Sequence, residues 1–177
     1  MEPKRSNRHR RSPQSGLSLL ETMIALTILV VATVGIMALG AIALATTENQ
    51  GHLAARTAEY AQDKMEQLMS LAYGDTTTDT TTFPATSTGG SGLTVGGSSN
   101  PSSPVTTPGT GYVDYLDISG QPTTSSGNWY YIRVWQISAY STTVKQITVT
   151  TKVKAQVGAP QGALPQSTLT SLKTSPF

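Results

Sequence analysis

An uninterrupted apolar run near the amino terminus constrains this chain more than any other feature. From Leu17 to Ala45 the polar side chains are Ser18, Glu21, Thr22, Thr27 and Thr33, and no proline falls among them. As a helix rising about 1.5 Å per residue the run reaches roughly 43 Å, against about 30 Å for the hydrocarbon core of a bilayer. It therefore has length to spare for one membrane crossing. Residues 1 to 16 carry Lys4, Arg5, Arg8, Arg10 and Arg11 against Glu2, a net +4 in a chain whose total is +2. The bias of basic residues toward the cytoplasmic side predicts that residues 1–16 face the cytoplasm and that everything after Ala45 lies across the membrane.

Helical character continues past the run. Thr46 to Ala72 is rich in Ala, Glu, Gln, Lys, Met and Leu, with one glycine, Gly51, and no proline. Leu53, Ala54, Ala58, Ala61, Met65, Leu68, Met69 and Ala72 recur at three- and four-residue spacing, and Arg56, Glu59, Asp63, Lys64, Glu66 and Gln67 fill the other face. The pattern predicts one helix over 17–72 with an apolar half, 17–45, and an amphipathic half, 46–73, ending near Tyr73-Gly74 where glycine suits a C-cap.

The composition then changes. Of the 38 residues from Gly74 to Gly111, 12 are Thr, 6 Ser, 8 Gly and 4 Pro, with no Lys or Arg. This reads as a loop that builds no core, with Thr76–Thr78 and Thr80–Thr82 either solvated or open to glycosylation. Residues 112–157 read as strands: Tyr112–Ile118, Trp129–Ser138 and Val144–Val153, broken by Ser119-Gly120-Gln121-Pro122 and Ser125-Ser126-Gly127-Asn128. In the third, Ile147, Val149, Thr151 and Val153 alternate with Gln146, Thr148, Thr150 and Lys152, predicting a half-buried strand. Residues 158–177, with Pro160, Pro165 and Pro176, read as an irregular tail. The expected fold class is α+β, a long amino-terminal helix covered over its distal half by a small antiparallel sheet.

Catalysis is not expected. The chain has no cysteine, and its histidines are His9 and His52, so the head lacks a histidine base, a thiol nucleophile and soft metal ligands. His52 reads as solvated surface, and no cofactor or metal is predicted. Asp114 and Asp117, with Asp75 or Asp79, offer oxygen ligands for calcium without the loop of alternating acids that binds it, and read first as strand-end acids. Trp129, Tyr130, Tyr131, Trp135 and Tyr140 suit core packing, subunit contacts or a stacked ligand. Arg133, Lys145, Lys152 and Lys154 are too few and too scattered to predict a nucleic-acid partner.

The informative stretch is Ser15-Gly16-Leu17-Ser18-Leu19-Leu20-Glu21, where a basic leader ends in glycine and a lone acid enters the apolar run. A carboxylate at mid-membrane costs about 2.5–3.5 kcal/mol, less toward the cytoplasmic end. Cleavage between Gly16 and Leu17 would create an ammonium four residues before Glu21, and the two charges would neutralise each other between neighbouring subunits and set their register. An ordinary signal peptide, with small-x-small sites at Ala41-Ile42-Ala43 and Ala43-Leu44-Ala45, has an apolar region of about 7–15 residues. Neither it nor a plain membrane anchor requires Gly16 or Glu21.

These residues resemble the type IV pilin and pseudopilin superfamily, whose signal is a short basic leader ending in glycine, then an apolar helix with glutamate fifth. Ala61-Gln62-Asp63-Lys64-Met65-Glu66-Gln67-Leu68 is similar to the helix end of minor pilins of the PilV class. Tyr130–Ile137 with Val144–Thr150 looks like paired strands of those proteins and of GspI-type secretion pseudopilins. The resemblance implies cleavage after Gly16 by a prepilin peptidase, N-methylation of Leu17, and pairing of Glu21 with the Leu17 ammonium of an adjacent subunit. It implies a single-pass inner-membrane protein with a cytoplasmic amino terminus and a periplasmic head. Its partners would be the bilayer, an assembly platform and other pilin or pseudopilin subunits in a filament. A type II secretion pseudopilin and an adhesive tip subunit are the alternatives within this reading. Leu17 replaces the usual phenylalanine, the apolar half lacks the proline of many major pilins, and the paired cysteines are missing, which favours a minor subunit. Gly35 and Gly40 weaken the helix where that proline would, or serve close helix packing.

Overall fold

The computed structural model describes residues 19–81, 84–107, 109–154 and 164–176, so the basic leader, Gly16, Leu17 and Thr82 lie outside the described residues. Helix α1 spans Leu19–Ser70, and six strands follow: β1 Gly96–Gly97, β2 Val113–Leu116, β3 Pro122–Thr123, β4 Tyr131–Ala139, β5 Val144–Val153 and β6 Gln166–Thr174. The chain divides into two compact units at the boundary between Ala45 and Thr46.

In the first unit, α1 is apolar on every side. Its large hydrophobic residues from Leu19 to Leu44 are all between 52 and 79% exposed. Among the described residues this is the one helix long and apolar enough to cross a bilayer. The hydroxyls of Thr22, Thr27 and Thr33 bond back to the carbonyls of Leu19, Met23, Leu29 and Val30, so these polar groups are satisfied within the helix. Glu21 lies in the first turn.

In the second unit, the rest of α1 packs on one face of a fully antiparallel sheet, giving the expected α+β layout. The strand order is β3-β2-β4-β5-β6, and β1 pairs with β4 beyond the end of β2. Register places Trp135 opposite Val149 and Ile137 opposite Ile147 on the face toward the helix. There they meet Ala61, Met65, Leu68, Leu93 and Tyr112 in the main core. Tyr60, Leu116, Tyr131 and Val153 form a second cluster on the same face. Val113, Ile132 and Val134 pack on the opposite face with Tyr115 and Trp129. The alternation expected for Val144–Val153 is that of β5.

Three expectations fail. First, Lys64 belongs to the buried stripe of α1 at 0% exposure, whereas Ala54, Ala58 and Ala72 are exposed. The stripe runs through Leu53, Thr57, Tyr60, Ala61, Lys64, Met65 and Leu68, because a counter-charge waits for Lys64 inside the sheet. Second, the segment 74–111 does contribute to the core. Leu93 is fully buried, Ser91, Asp79 and Thr80 are nearly so, and Gly96–Gly97 pairs with β4. Its acids hold its backbone: Asp75 accepts from the amides of Thr77 and Thr78, and Asp79 from the amide and hydroxyl of Thr81. Third, the supposed irregular tail holds β6, nine residues paired along β5. Pro165 and Pro176 flank that strand rather than interrupt it.

Glycine is required at Gly97, which has φ +83°. A Cβ there would overlap the Trp135 carbonyl oxygen and sit 2.8 Å from Tyr112 Cγ, at the centre of the core. Gly97→Ala is therefore expected to cost about 2–3 kcal/mol, from left-handed strain plus overpacking. Denaturant titration of the full chain in micelles checks this, and a loss below about 0.5 kcal/mol contradicts the close approach.

The end of α1 is finished from a distance. Its last turn contains no basic residue, and Gly74 is not in the left-handed conformation of a C-cap. Instead Lys173 of β6 donates to the Met69 carbonyl, and Lys145 of β5 donates to the carbonyls of Tyr73 and Leu93 at 2.8 Å each. Two strand cations thus supply what the helix terminus lacks.

Candidate functional site

Two constellations stand out, one in each unit. The first is Glu21. It is the only ionisable side chain between residues 17 and 45, it is exposed, and exposed Leu19, Leu20, Met23 and Ile24 surround it along the chain. Its expected companions, Gly16 and Leu17, lie outside the described residues.

The second is a buried charge network that joins α1 to β2 and β4. Asp114 sits on β2 opposite Arg133 on β4. Arg133 grips both Asp114 oxygens, Nε to Oδ1 at 2.8 Å and Nη2 to Oδ2 at 2.9 Å. From the helix, Lys64 Nζ reaches Asp114 Oδ2 at 2.6 Å, donates to the Thr80 carbonyl, and lies 4.5 Å from the centre of the Trp135 ring. Arg133 Nη1 completes the set with Asp63 Oδ2 at 2.8 Å and the Tyr60 carbonyl at 3.2 Å. Two cations face two carboxylates. Lys64, Asp114 and Arg133 are buried, and Asp63 remains half open to solvent.

Burial pushes the Asp114 carboxyl up, but Lys64 and Arg133 outweigh it and hold the group below its ordinary value. Burial lowers Lys64 against the opposing pull of Asp114, and the lysine stays below its ordinary value. Burial lowers Arg133 too, and Asp114 with Asp63 more than offsets it, so Arg133 is raised.

These shifts set a pH dependence. A carboxyl depressed in the folded state gives stability above its unfolded pKa of about 4 and loses it as pH falls through the folded value. The lowered Lys64 acts in the same sense between its folded pKa and about 10.4, where the unfolded chain holds more protons and stability rises with pH. The head is therefore expected to unfold cooperatively below about pH 4. Fluorescence of Trp135, which sits under Lys64, reports the transition, and an unchanged signal at pH 2 would contradict it.

The charged groups of the network are turned on one another and clamp α1 to β2 and β4. Sequence reasoning placed Lys64 on the polar helix face, read Asp114 first as a strand-end acid, and took Arg133 as one of a few cations that do not make a basic patch. The signal that finds them is phase. Arg133 alternates in step with Tyr131, Trp135 and Ile137, Asp114 with Tyr112 and Leu116, and Lys64 stands three and four residues from Ala61, Tyr60 and Leu68.

The remaining expected candidates are dispersed or occupied. Asp117 accepts the amides of Ser119 and Gln121 and shapes the turn before β3. No group of three acids or histidines that could hold a metal occurs among the described residues. Trp135 and Tyr131 are core residues, Trp129 lies under Lys154, and Tyr140 is exposed. Lys145 and Arg133 point inward, leaving Lys152 and Lys154 on the far side of the sheet, and His52 is exposed. A cleft of about 210 Å³ opens beside the network between Asp63, Thr80, Gln121 and Arg133. Arg133 already spends its donors there on Asp114, Asp63 and Tyr60. No protein-family model, curated protein or solved structure matches this chain.

Proposed function

We propose that the chain is a minor subunit of a type IV pilin-like filament. A prepilin peptidase cleaves it between Gly16 and Leu17, and it assembles through its apolar helix. The observation that carries this reading is Glu21, an acid in the first turn of a helix whose apolar residues are exposed on all sides, five residues after a glycine that closes a basic leader. An apolar sleeve of this kind needs lipid or other apolar helices around it. A carboxylate within it favours neighbours that bring a cation, and a freed Leu17 ammonium is such a cation. Before assembly the subunit waits as a single-pass inner-membrane protein, leader in the cytoplasm and head in the periplasm. The head, held rigid by the Lys64–Asp114–Arg133 clamp, is then carried on the filament surface, and the chain performs no catalysis.

Intact mass and terminal sequencing of protein from its native membrane test the reading. The expected mature chain starts at Leu17 and carries one methyl group on its new amino terminus. A chain that retains residues 1–16 in its working state, or one that starts at Thr46, refutes it. The subunits that co-purify decide between a pilus and a type II secretion pseudopilus.

A further inference from the structure

The outward face of the sheet changes character along its length. At one end stand Lys152 and Lys154, with Asp117 following β2 in the same phase. The middle positions, Val134 and Thr150, are buried. Beyond them the face opens to solvent and carries no charge among the described residues. Register aligns Gln136, Thr148 and Thr170 in one row across β4, β5 and β6, and Ser138, Gln146 and Leu172 in the next. Tyr140, 69% exposed, donates its amide to the Val144 carbonyl, and Val144 pairs with Thr174, which completes a third row. The lysines that the strands carry at this end, Lys145 and Lys173, are turned to the other face, where they bond the carbonyls of Tyr73 and Met69.

Strands about 4.8 Å apart and rows about 6.8 Å apart make this a platform of roughly 10 by 14 Å. Its polar groups both donate and accept. The Thr148 and Thr170 hydroxyls lie 3.3 Å apart, and the Ser138 hydroxyl meets Gln146 Oε1 at 3.4 Å, so the Gln146 amide nitrogen and the Gln136 amide are left to bond outward. Leu172, half exposed, Val144 and the Tyr140 ring set apolar surface between them. At the far margin a cavity of about 290 Å³ opens between Thr143, Thr174, Ser175 and Pro176, again with no charged side chain in its lining.

We propose that this end of the sheet binds an uncharged oligosaccharide, laid across the three rows with one end in the cavity beside Thr174. A sugar presents the matching alternation: C–H faces for Tyr140, Leu172 and Val144, and hydroxyl rims for the glutamines and threonines. Nucleic acid and acidic lipid call for cations that this face lacks. A stable protein partner calls for an apolar centre, and the central position here is Gln146. The ring offered to the ligand is Tyr140, since Trp135 is buried and Trp129 lies under Lys154. The inference concerns the head alone and stands whether or not the leader is cleaved.

The test passes the full-length chain, held in phosphocholine micelles that carry no sugar, over cellulose, chitin and amylose beads and over heparin and alginate beads. Retention is expected on at least one uncharged matrix, unchanged between about 0.05 and 0.5 M salt because no ion pair is involved, and reversed by the matching soluble oligosaccharide. Tyr140→Ala and Gln146→Ala should each weaken retention about tenfold, while Lys154→Ala, at the other end of the face, leaves it unchanged. Denaturant unfolding followed by tryptophan fluorescence shows that each variant is folded. Should either lower the unfolding midpoint, Thr170→Lys, at an exposed position of the first row, repeats the measurement. Passage through all three uncharged matrices overturns the proposal, and so does retention confined to heparin or alginate or retention that the variants do not diminish. Self-association without sugar that the same variants abolish would put a second copy on the face and overturn it too.

Discussion

Asp114→Asn lowers the unfolding free energy of the head by about 3–5 kcal/mol, a large part of the stability of an ordinary domain. The asparagine side chain nearly matches the aspartate in volume, so packing is not what is lost. What is lost is the one negative charge that faces Lys64 at 2.6 Å and Arg133 at 2.8 Å, leaving two buried cations with only the half-exposed Asp63 beside them. Lys64→Met is the instructive contrast. It removes one cation, leaves the two-point Arg133–Asp114 pair intact, and fills the space under Trp135 with a flexible apolar chain. Replacing a buried charge that way is often close to neutral, and a loss under about 1.5 kcal/mol is expected. Both numbers come from denaturant unfolding of the full chain in micelles followed by tryptophan fluorescence. Equal losses for the two variants would mean that the network is not the clamp between α1 and the sheet.

Glu21→Leu should leave leader removal intact and reduce incorporation into filaments about tenfold or more. The substitution makes the apolar half of α1 a better membrane helix, so the processed subunit accumulates in the bilayer. Its deficit appears only on assembly, where the Leu17 ammonium of a neighbour is buried among apolar helices with no acid to meet it. A missing partner worth more than about 1.4 kcal/mol in that surrounding is already a tenfold change. Gly16→Ala should act one step earlier, blocking cleavage and leaving a basic leader that holds the subunit in the membrane. Quantifying the subunit in sheared filaments and in the membrane measures both deficits, and the mass of the amino terminus of the membrane pool separates the two. Full incorporation of the Glu21 variant would remove the charge-pairing argument, and with it the main support for the proposed function.

Much of the architecture was legible because it depends on local periodicity. The long helix, the strand Val144–Val153 and the α+β class follow from three- and four-residue spacing, from alternation and from the placement of proline and glycine. Strand β6 was missed for a reason that lies in its composition. Its inward residues are Ser167, Leu169, Ser171 and Lys173, and its outward ones are Gln166, Thr168, Thr170, Leu172 and Thr174, so the alternation carries almost no hydrophobic contrast. It is a strand because β5 offers it a ladder and because Ser167 and Lys173 find acceptors on the helix. The segment 74–111 was misjudged by a similar route. A stretch rich in Thr and Gly contributes to a core when its acids tie down the backbone and Gly97 lets it approach Trp135 closely, and neither effect registers as hydrophobicity.

The order of amino acids by itself determined that this chain carries a membrane-length apolar helix with one acid in its first turn and a small sheet beyond it. Those features are local, and repetition within a few residues is enough to specify them. Only the tertiary structure decided that Lys64 turns inward, that Arg133 is a clamp and not a surface cation, and that strand lysines finish the helix. Each of those outcomes depends on a counter-charge or carbonyl brought within 3 Å from 16 to 104 residues away. A charged side chain is stable in a core only where such a partner already stands, and no periodicity in the chain announces that meeting.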